Sequence, residues 1–188
     1  MIEKRVVAVI VEGQSDENAI GGILKEYFAS EEVQFAVVHG DITSDEANTV
    51  DDVVKKVEET VDGIRGKYGY KWTDFVQVIH IADTDGAFTK DCVVEADTRD
   101  ILYYEDHMES SNVDATNRRN AHKSEIMFKL YSTGRVHGIC YRIYFNSCNL
   151  EHVLHGKLEN FSNEKKEEMS DRFAEKYEGK LDDFIAFI

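Results

Sequence analysis

Proline is missing from this chain of 188 residues, although an average protein of that length contains about nine. The ends of helices must therefore be set by Gly, Asn, Asp and Ser. Cysteine is scarce as well. The chain has three cysteines, Cys92, Cys140 and Cys148, and no two of them form a CxxC pair. This pattern argues against a disulfide framework and against a zinc ribbon.

Long apolar runs are also missing from the sequence. No run approaches the roughly 20 residues that a helix needs to cross a bilayer. The first residues lead straight into a short valine-rich run, without the pattern of a cleaved signal peptide. We therefore expect a cytoplasmic protein with no membrane partner.

Positive charge is scarce too. The 22 Lys and Arg residues are outnumbered by 37 Asp and Glu residues, which gives a formal net charge of −15. Broad, sequence-independent binding of nucleic acid normally needs a basic face, so the charge argues against it. Bound metal ions can still reverse the sign of the potential at one site. The length favours a single domain over residues 1–188.

The first half of the chain alternates predicted strands with predicted helices. Apolar, β-branched runs predict strands at Val6–Val11, Val33–Val38 and Asp74–Ala82. One helix is predicted after the first strand, with Ser15 as its N-cap. A second is predicted from a valine stripe over residues 50–61. This βαβ order predicts an α/β fold with a mainly parallel central sheet flanked by helices.

A helical insertion is predicted over about residues 88–136, before the sheet resumes. Its helices are expected at Asp97–Met108 and Ser124–Tyr131, with a polar loop at Ser110–Asn117 between them. The remaining predicted elements are a strand at Ile139–Phe145 and helices at Leu150–Leu158 and Ser162–Tyr177.

Three carboxylates lie at the ends of two predicted strands. Glu12 follows the first strand, and Asp83 and Asp85 follow the third. Open α/β sheets bind their ligands at the carboxyl ends of the strands. Clustered carboxylates repel one another unless a cation is present, and oxygen ligands favour Mg²⁺, Mn²⁺ or Ca²⁺ over zinc. The alternative is that Glu-Gly and Asp-Thr-Asp-Gly are simply turns.

The same two segments resemble the TOPRIM family. The run VAVIVEGQSD at residues 7–16 resembles its first motif, a strand that ends in Glu-Gly with a downstream acid. The run IHIADTDG at residues 79–86 resembles its second motif, a strand that ends in Asp-x-Asp. TOPRIM domains occur in topoisomerases, primases, ribonuclease M5, recombination proteins and the overcoming-lysogenization-defect nucleases of phage defence.

This resemblance implies a Rossmann-like TOPRIM fold and cleavage of phosphodiester bonds in DNA or RNA, with a role in phage defence. Glu12 would be a general acid/base or a metal ligand, and Asp83 and Asp85 would hold Mg²⁺ or Mn²⁺. We see no tyrosine placed as a topoisomerase nucleophile and no primase or zinc-binding region in the sequence. The nuclease branch of the family therefore fits best.

Two further acids are candidate metal ligands. Asp16 either reaches the metal ion or complements the positive end of the first helix. Glu151 follows the fourth predicted strand, and Asn149-Leu150-Glu151 is similar to a later acidic motif of some defence-associated TOPRIM nucleases. The alternative is that Glu151 is an ordinary first-turn glutamate.

Basic residues cluster at Arg118, Arg119 and Lys123, beside His122 and inside the predicted insertion. They are candidates for contacts with the phosphate backbone of a nucleic acid. The alternative is that they form the solvated start of a helix.

Two other functions are compatible with the sequence. The first is a non-catalytic TOPRIM-like regulatory or binding subunit, which the net charge of −15 favours. It would bind nucleic acid only with a partner protein, in a homo-oligomer or a hetero-complex. The second is a haloacid-dehalogenase-like phosphatase, but that family places Asp-x-Asp after its first strand, and here it follows the third.

Overall fold

A five-stranded sheet forms the centre of the molecule in the computed structural model, which describes residues 5–27, 33–156, 158 and 161–187. The order of its strands is β2-β1-β3-β8-β7. Their bounds are Arg5–Val11 for β1, Val33–His39 for β2, Phe75–Asp83 for β3, Arg135–Val136 for β7 and Ile139–Asn146 for β8.

The sheet is mostly parallel, as the sequence predicts. β1 pairs in parallel with β2 and β3, and β3 pairs in parallel with β8. Only the short edge strand β7 runs antiparallel within this sheet, because it forms a hairpin with β8. All four predicted strands are confirmed, each within one residue of its observed bounds.

Helices cover both faces of the sheet. Their bounds are Gln14–Tyr27 for α1, Val53–Tyr68 for α2, Val113–Ser132 for α3, Leu150–His155 for α4, Asn163–Tyr177 for α5 and Leu181–Phe187 for α6.

The residues of β1 alternate between the two faces, as side chains of a strand must. Val6, Ala8 and Ile10 pack in the core that includes residues of α2 and α3. Val7 and Val9 pack in the opposite core, which includes residues of α1, α5 and α6. Burial on both faces explains why β1 is a continuous apolar run.

The first turn of α1 differs from its prediction. The helix begins at Gln14, so Ser15 lies inside it and the prediction of Ser15 as N-cap is wrong. Asp16 lies in the first turn of α1, and its Oδ2 accepts the backbone N–H of Gly13, the residue before the helix, at 3.0 Å. A carboxylate at this position also complements the positive end of the helix.

The segment between β3 and α3 is a small sheet, and the helix predicted at Asp97–Met108 is wrong. Strand β5 pairs antiparallel with β6, and β4 pairs in parallel with the other edge of β6. The backbone groups of these residues pair between strands, so they are not available for the hydrogen bonds of a helix. The bounds are Val93–Glu95 for β4, Leu102–Tyr103 for β5 and Met108–Ser110 for β6.

Only the second half of the predicted helical insertion is helical. The helix predicted at Ser124–Tyr131 is confirmed but is part of the longer α3. The polar loop predicted at Ser110–Asn117 is wrong beyond Asn112, whose side chain accepts the backbone N–H of Ala115 at 3.0 Å. That N-cap starts α3 at Val113, about three turns earlier than the apolar periodicity indicates.

The last helices follow their predictions closely. α4 ends at His155, where Gly156 adopts a left-handed conformation, so it is shorter than predicted. α5 begins directly after Ser162, whose hydroxyl caps the backbone N–H of Lys165. Within the described ranges, no helix combines the length and the apolar character needed to cross a membrane.

Candidate functional site

The topology of the sheet creates a crevice between the carboxyl ends of β1 and β3. The chain leaves β1 towards β2 on one side and returns to β3 on the other. In open α/β sheets this reversal of strand order is where ligands bind. Glu12 directly follows β1, Asp83 is the last residue of β3, and Asp85 lies two residues further on. The sheet therefore brings the three predicted acids to one edge.

Glu12 points towards the α3 side of the sheet and is mostly buried. Its side chain is 10% exposed, and its Oε2 lies 3.3 Å from the Nζ atom of Lys123. The hydroxyl of Thr43 donates a hydrogen bond to Oε1. Burial raises the pKa of Glu12, and the nearby Lys123 and Thr43 partly offset that rise.

Asp83 projects towards the other side and has lost most of its hydration. Its Oδ1 accepts a hydrogen bond of 2.9 Å from the side-chain amide of Asn146, its partner on β8. Burial, reinforced by the charges of Asp16 and Glu12, raises the pKa of Asp83 to about 8. Without a further cation, this carboxyl group is therefore mainly protonated at neutral pH.

Asp85 is held in place by an unusual backbone conformation. Its φ of 45° lies in the left-handed region, which aspartate tolerates better than most residues. Its N–H donates to the carbonyl of Cys148 at 2.6 Å, which ties this turn to the end of β8. Its Oδ2 accepts bonds from Lys123 at 2.7 Å and from Arg119 at 3.0 Å.

Lys123 lies inside the acidic cluster, with a side chain that is 1% exposed. Its Nζ atom lies 3.3 Å from Glu12, 2.7 Å from Asp85 and 2.7 Å from the hydroxyl of Ser44. The alternative of a solvated helix start is therefore wrong for Lys123, and its predicted contact with nucleic acid stays a prediction. The reason is helical spacing, because Lys123 lies on the face of α3 that is buried against the sheet, together with Thr116, Asn120, Met127 and Leu130.

The other two basic candidates occupy different positions. Arg119 is partly buried and connects the carboxylate of Asp85 to the hydroxyl of Tyr103, which it contacts at 3.4 Å. Arg118 is exposed, and its guanidinium forms no ion pair with any residue in the described ranges. Contact of either arginine with nucleic acid stays a prediction.

Of the two secondary acids, the structure describes the side chain of Asp16 but not that of Glu151. Asp16 is buried, binds the backbone of Gly13 and raises the pKa of Asp83, so it lies beside the acidic cluster as well as at the start of α1. Its role as a metal ligand stays a prediction. Glu151 lies in α4, but its side chain falls outside the described part of the structure, so its role is also untested.

Two clefts open on either side of Asp85 and Tyr103, which line both of them. The cationic cleft, of ≈ 450 Å³, contains Arg99, Arg119 and Lys166 around the carboxylates of Asp83, Asp85 and Asp100. The aromatic cleft, of ≈ 410 Å³, is lined by Tyr103, Tyr104 and His107 together with Cys148 and His152.

The chemistry of the cluster suits a hard divalent cation. It supplies carboxylate oxygens, and a bound cation would offset the burial and like charges that raise the pKa of Asp83 to about 8. Lys123 already provides a positive charge for Glu12 and Asp85. As the side chains stand, no group of three or more His, Cys, Asp or Glu residues within the described ranges is arranged to hold a metal ion.

Sequence reasoning missed several residues of the site. Thr43 and Ser44 follow β2, whose carboxyl end lies beside that of β1, so strand order could have identified them. His80 is completely buried beneath the site, with Nδ1 2.9 Å from the hydroxyl of Tyr141. The alternation of residues along β3 places His80 on one face of the sheet, and no local signal in the sequence distinguishes it from an ordinary core residue.

Comparison with known proteins gives no further assignment. No model of a known protein family matches this chain, and no curated protein is significantly similar to it.

Proposed function

We propose that this protein is a TOPRIM-type nuclease that uses Mg²⁺ or Mn²⁺ to cleave phosphodiester bonds in DNA or RNA. The observation that carries the proposal is the convergence of Glu12, Asp83 and Asp85 at the reversal of strand order in the sheet. The Glu-Gly and Asp-x-Asp motifs that resemble TOPRIM domains supply the same three residues.

Asp83 and Asp85 would hold the metal ion, which would polarise a phosphoryl oxygen and favour formation of a hydroxide nucleophile from water. Glu12 is suited to general acid/base work, because burial raises its pKa above the ordinary value of a glutamate. Lys123 orients the carboxylates of Glu12 and Asp85 through two charge-assisted contacts. Arg119, next to Asp85, would stabilise negative charge on the phosphoryl group.

The experiment is a cleavage assay with end-labelled single- and double-stranded DNA and RNA, in Mg²⁺, Mn²⁺ or EDTA. Wild type is compared with Asp83→Asn, which keeps the shape and the acceptor for Asn146 but removes the charge. Asp182→Asn, at an exposed position in α6, is the control. We expect metal-dependent cleavage by wild type and the control, and a loss of about 100-fold or more in Asp83→Asn. Cleavage that persists in EDTA or in Asp83→Asn would contradict the proposal.

A second candidate is a non-catalytic TOPRIM-like subunit of a larger complex, such as a phage-defence assembly. The position of Lys123 favours it, because an ammonium group between Glu12 and Asp85 supplies the positive charge that a metal ion would otherwise bring. The net charge of −15 also favours binding to nucleic acid only with a partner. Folded wild-type protein that cleaves none of the four substrates in either metal would support this function.

A further inference from the structure

The hairpin formed by β5 and β6 presents a stacked pair of rings beside the acidic site. Tyr104 and His107 are the first and last residues of its four-residue loop, and their rings stack with centroids 4.6 Å apart and planes 6° from parallel. The backbone N–H of Tyr104 donates to the carbonyl of His107 at 2.9 Å. The Tyr104 hydroxyl donates to Glu109 at 3.2 Å. These bonds fix the rings in place.

The stacked pair is accessible to a ligand. Tyr104 is 45% exposed, which is high for a large aromatic side chain, and it lines the aromatic cleft together with His107. Aromatic rings that are rigid and open to solvent are the usual platform for an unpaired nucleobase, because every base has a flat face that stacks. A base inside a duplex is already stacked on its neighbours, so this platform selects single strands.

The cleft named cationic for its three basic residues is formally charge-balanced, unlike the acidic chain as a whole. It contains three cations and three carboxylates, whereas the whole chain has 22 Lys and Arg residues against 37 Asp and Glu residues. The guanidinium of Arg99 is exposed and forms no hydrogen bond or ion pair with any described residue. A phosphate group would therefore find a donor in Arg99 that forms no ion pair with a carboxylate in the described part of the chain.

The two clefts meet at Asp85 and Tyr103, which line both. We propose that they bind adjacent parts of one single-stranded nucleic acid, with an unpaired base in the aromatic cleft and a neighbouring phosphate in the cationic cleft. This inference rests on the proposed function, and it defines the substrate as single-stranded. It also gives the small β4-β6-β5 sheet a role in selecting that substrate.

The test is fluorescence anisotropy with labelled 12-nucleotide DNA and RNA strands and their duplexes, measured in EDTA so that cleavage does not intervene. Wild type should bind a single strand more tightly than its duplex. Tyr104→Ala should weaken single-strand binding about tenfold or more, since a base is no longer stacked. Tyr104→Phe keeps the ring and should bind within about threefold of wild type. Comparison of the DNA and RNA single strands shows whether the site prefers deoxyribose or ribose.

Two matched controls sharpen the test. Tyr68→Ala removes a tyrosine of nearly equal exposure, 44%, from the end of α2, and should leave binding unchanged. Arg99→Ala should weaken single and double strands alike and lower the slope of log K against log salt by about 1. Lys25→Ala removes one positive charge from the last turn of α1, far from the carboxyl ends of the strands. It should change neither the affinity nor the salt dependence.

The outcomes separate this inference from the proposed function. Tyr104→Ala that binds single strands as well as wild type, or wild type that prefers duplex, would overturn the inference even if the protein cleaves DNA or RNA. Single-strand preference that depends on Tyr104, without metal-dependent cleavage, would support the inference and contradict the proposed nuclease activity. Loss of binding in Tyr104→Phe as well as in Tyr104→Ala would also overturn it, because stacking would then not be the cause.

Discussion

Lys123 and Asp85 form an ion pair of 2.7 Å that joins α3 to the turn after β3, across 38 residues of sequence. The lysine is 1% exposed and also lies 3.3 Å from Glu12. Because an unpaired charge in such a place is costly, this pair makes the geometry of the acidic site depend on the packing of α3.

Removal of Lys123 should therefore destabilise the fold strongly. We expect Lys123→Met to lower the free energy of unfolding by about 3–5 kcal/mol, because the carboxylates of Glu12 and Asp85 lose their buried cation. Denaturant titration at pH 7 measures this change. Lys129→Met, near the end of the same helix, is the control, with an expected change of about 0.5 kcal/mol or less.

A double variant isolates the charge from the packing of the lysine. Asp85→Asn keeps a residue that tolerates the left-handed backbone and removes one of the two carboxylates. Lys123→Met should cost less in the Asp85→Asn background than in wild type. Equal cost in both backgrounds would show that the ion pair contributes nothing to stability.

The buried carboxyl group of Asp83 should make stability fall as pH rises. In the folded protein its pKa is raised from 3.8 to about 8, so the folded state keeps a proton that the unfolded chain has released. Folding then takes up a proton, and stability is lost between pH 4 and 8, by up to about 1.4 kcal/mol per pH unit. Asp83→Asn should remove this loss.

The measurement is the difference in free energy of unfolding between Asp83→Asn and wild type, from pH 5 to 8 in a chelator. We expect the variant to gain on wild type steadily as pH rises. A difference that is flat with pH would show that Asp83 is ionised in the folded protein and that another group already neutralises it.

His80 should produce the opposite trend at lower pH. Burial, with a smaller contribution from Lys123, lowers its pKa from 6.5 to about 3. The unfolded chain binds a proton below pH 6.5 that the folded protein does not, so stability is lost as pH falls towards 3. In His80→Phe the loss between pH 6.5 and 5 should be smaller by up to about 1.4 kcal/mol per pH unit. Equal acid sensitivity in both proteins would rule out this cause.

Gly86 is needed because the turn after β3 lies against α3. A Cβ atom at this position would clash with the side-chain amide of Asn120, which is buried. We expect Gly86→Ala to cost about 1–3 kcal/mol through overpacking. In an Asn120→Ala background the clashing atoms are gone, and thermal melts should show a much smaller cost for Gly86→Ala. A cost that is the same in both backgrounds would contradict this explanation.

The site could be predicted from the sequence as far as strand ends define it. The apolar runs before Glu12 and Asp83 indicate strands buried on both faces, and parallel strands bring their ends to one edge. The partners that fix the acids come from outside those motifs. The burial of Lys123 could not be predicted, because Thr116 and Asn120, on the same buried face of α3, make that face polar in sequence.

The small sheet could not be predicted, for a different reason. Strands of two or three residues, such as Leu102–Tyr103, are too short for alternation to be recognised. Pairing with β6, and not local preference, determines their conformation.

We propose that the carboxylates at the strand reversal hold a divalent cation. Calorimetric titration of Mn²⁺ at pH 8, into wild type, Asp83→Asn and Asp182→Asn, tests it most directly. We predict one site of similar affinity in wild type and in Asp182→Asn, weakened at least about tenfold in Asp83→Asn. Folded wild-type protein that takes up no Mn²⁺ at millimolar concentration, or an Asp83→Asn variant that binds it equally well, would contradict the claim.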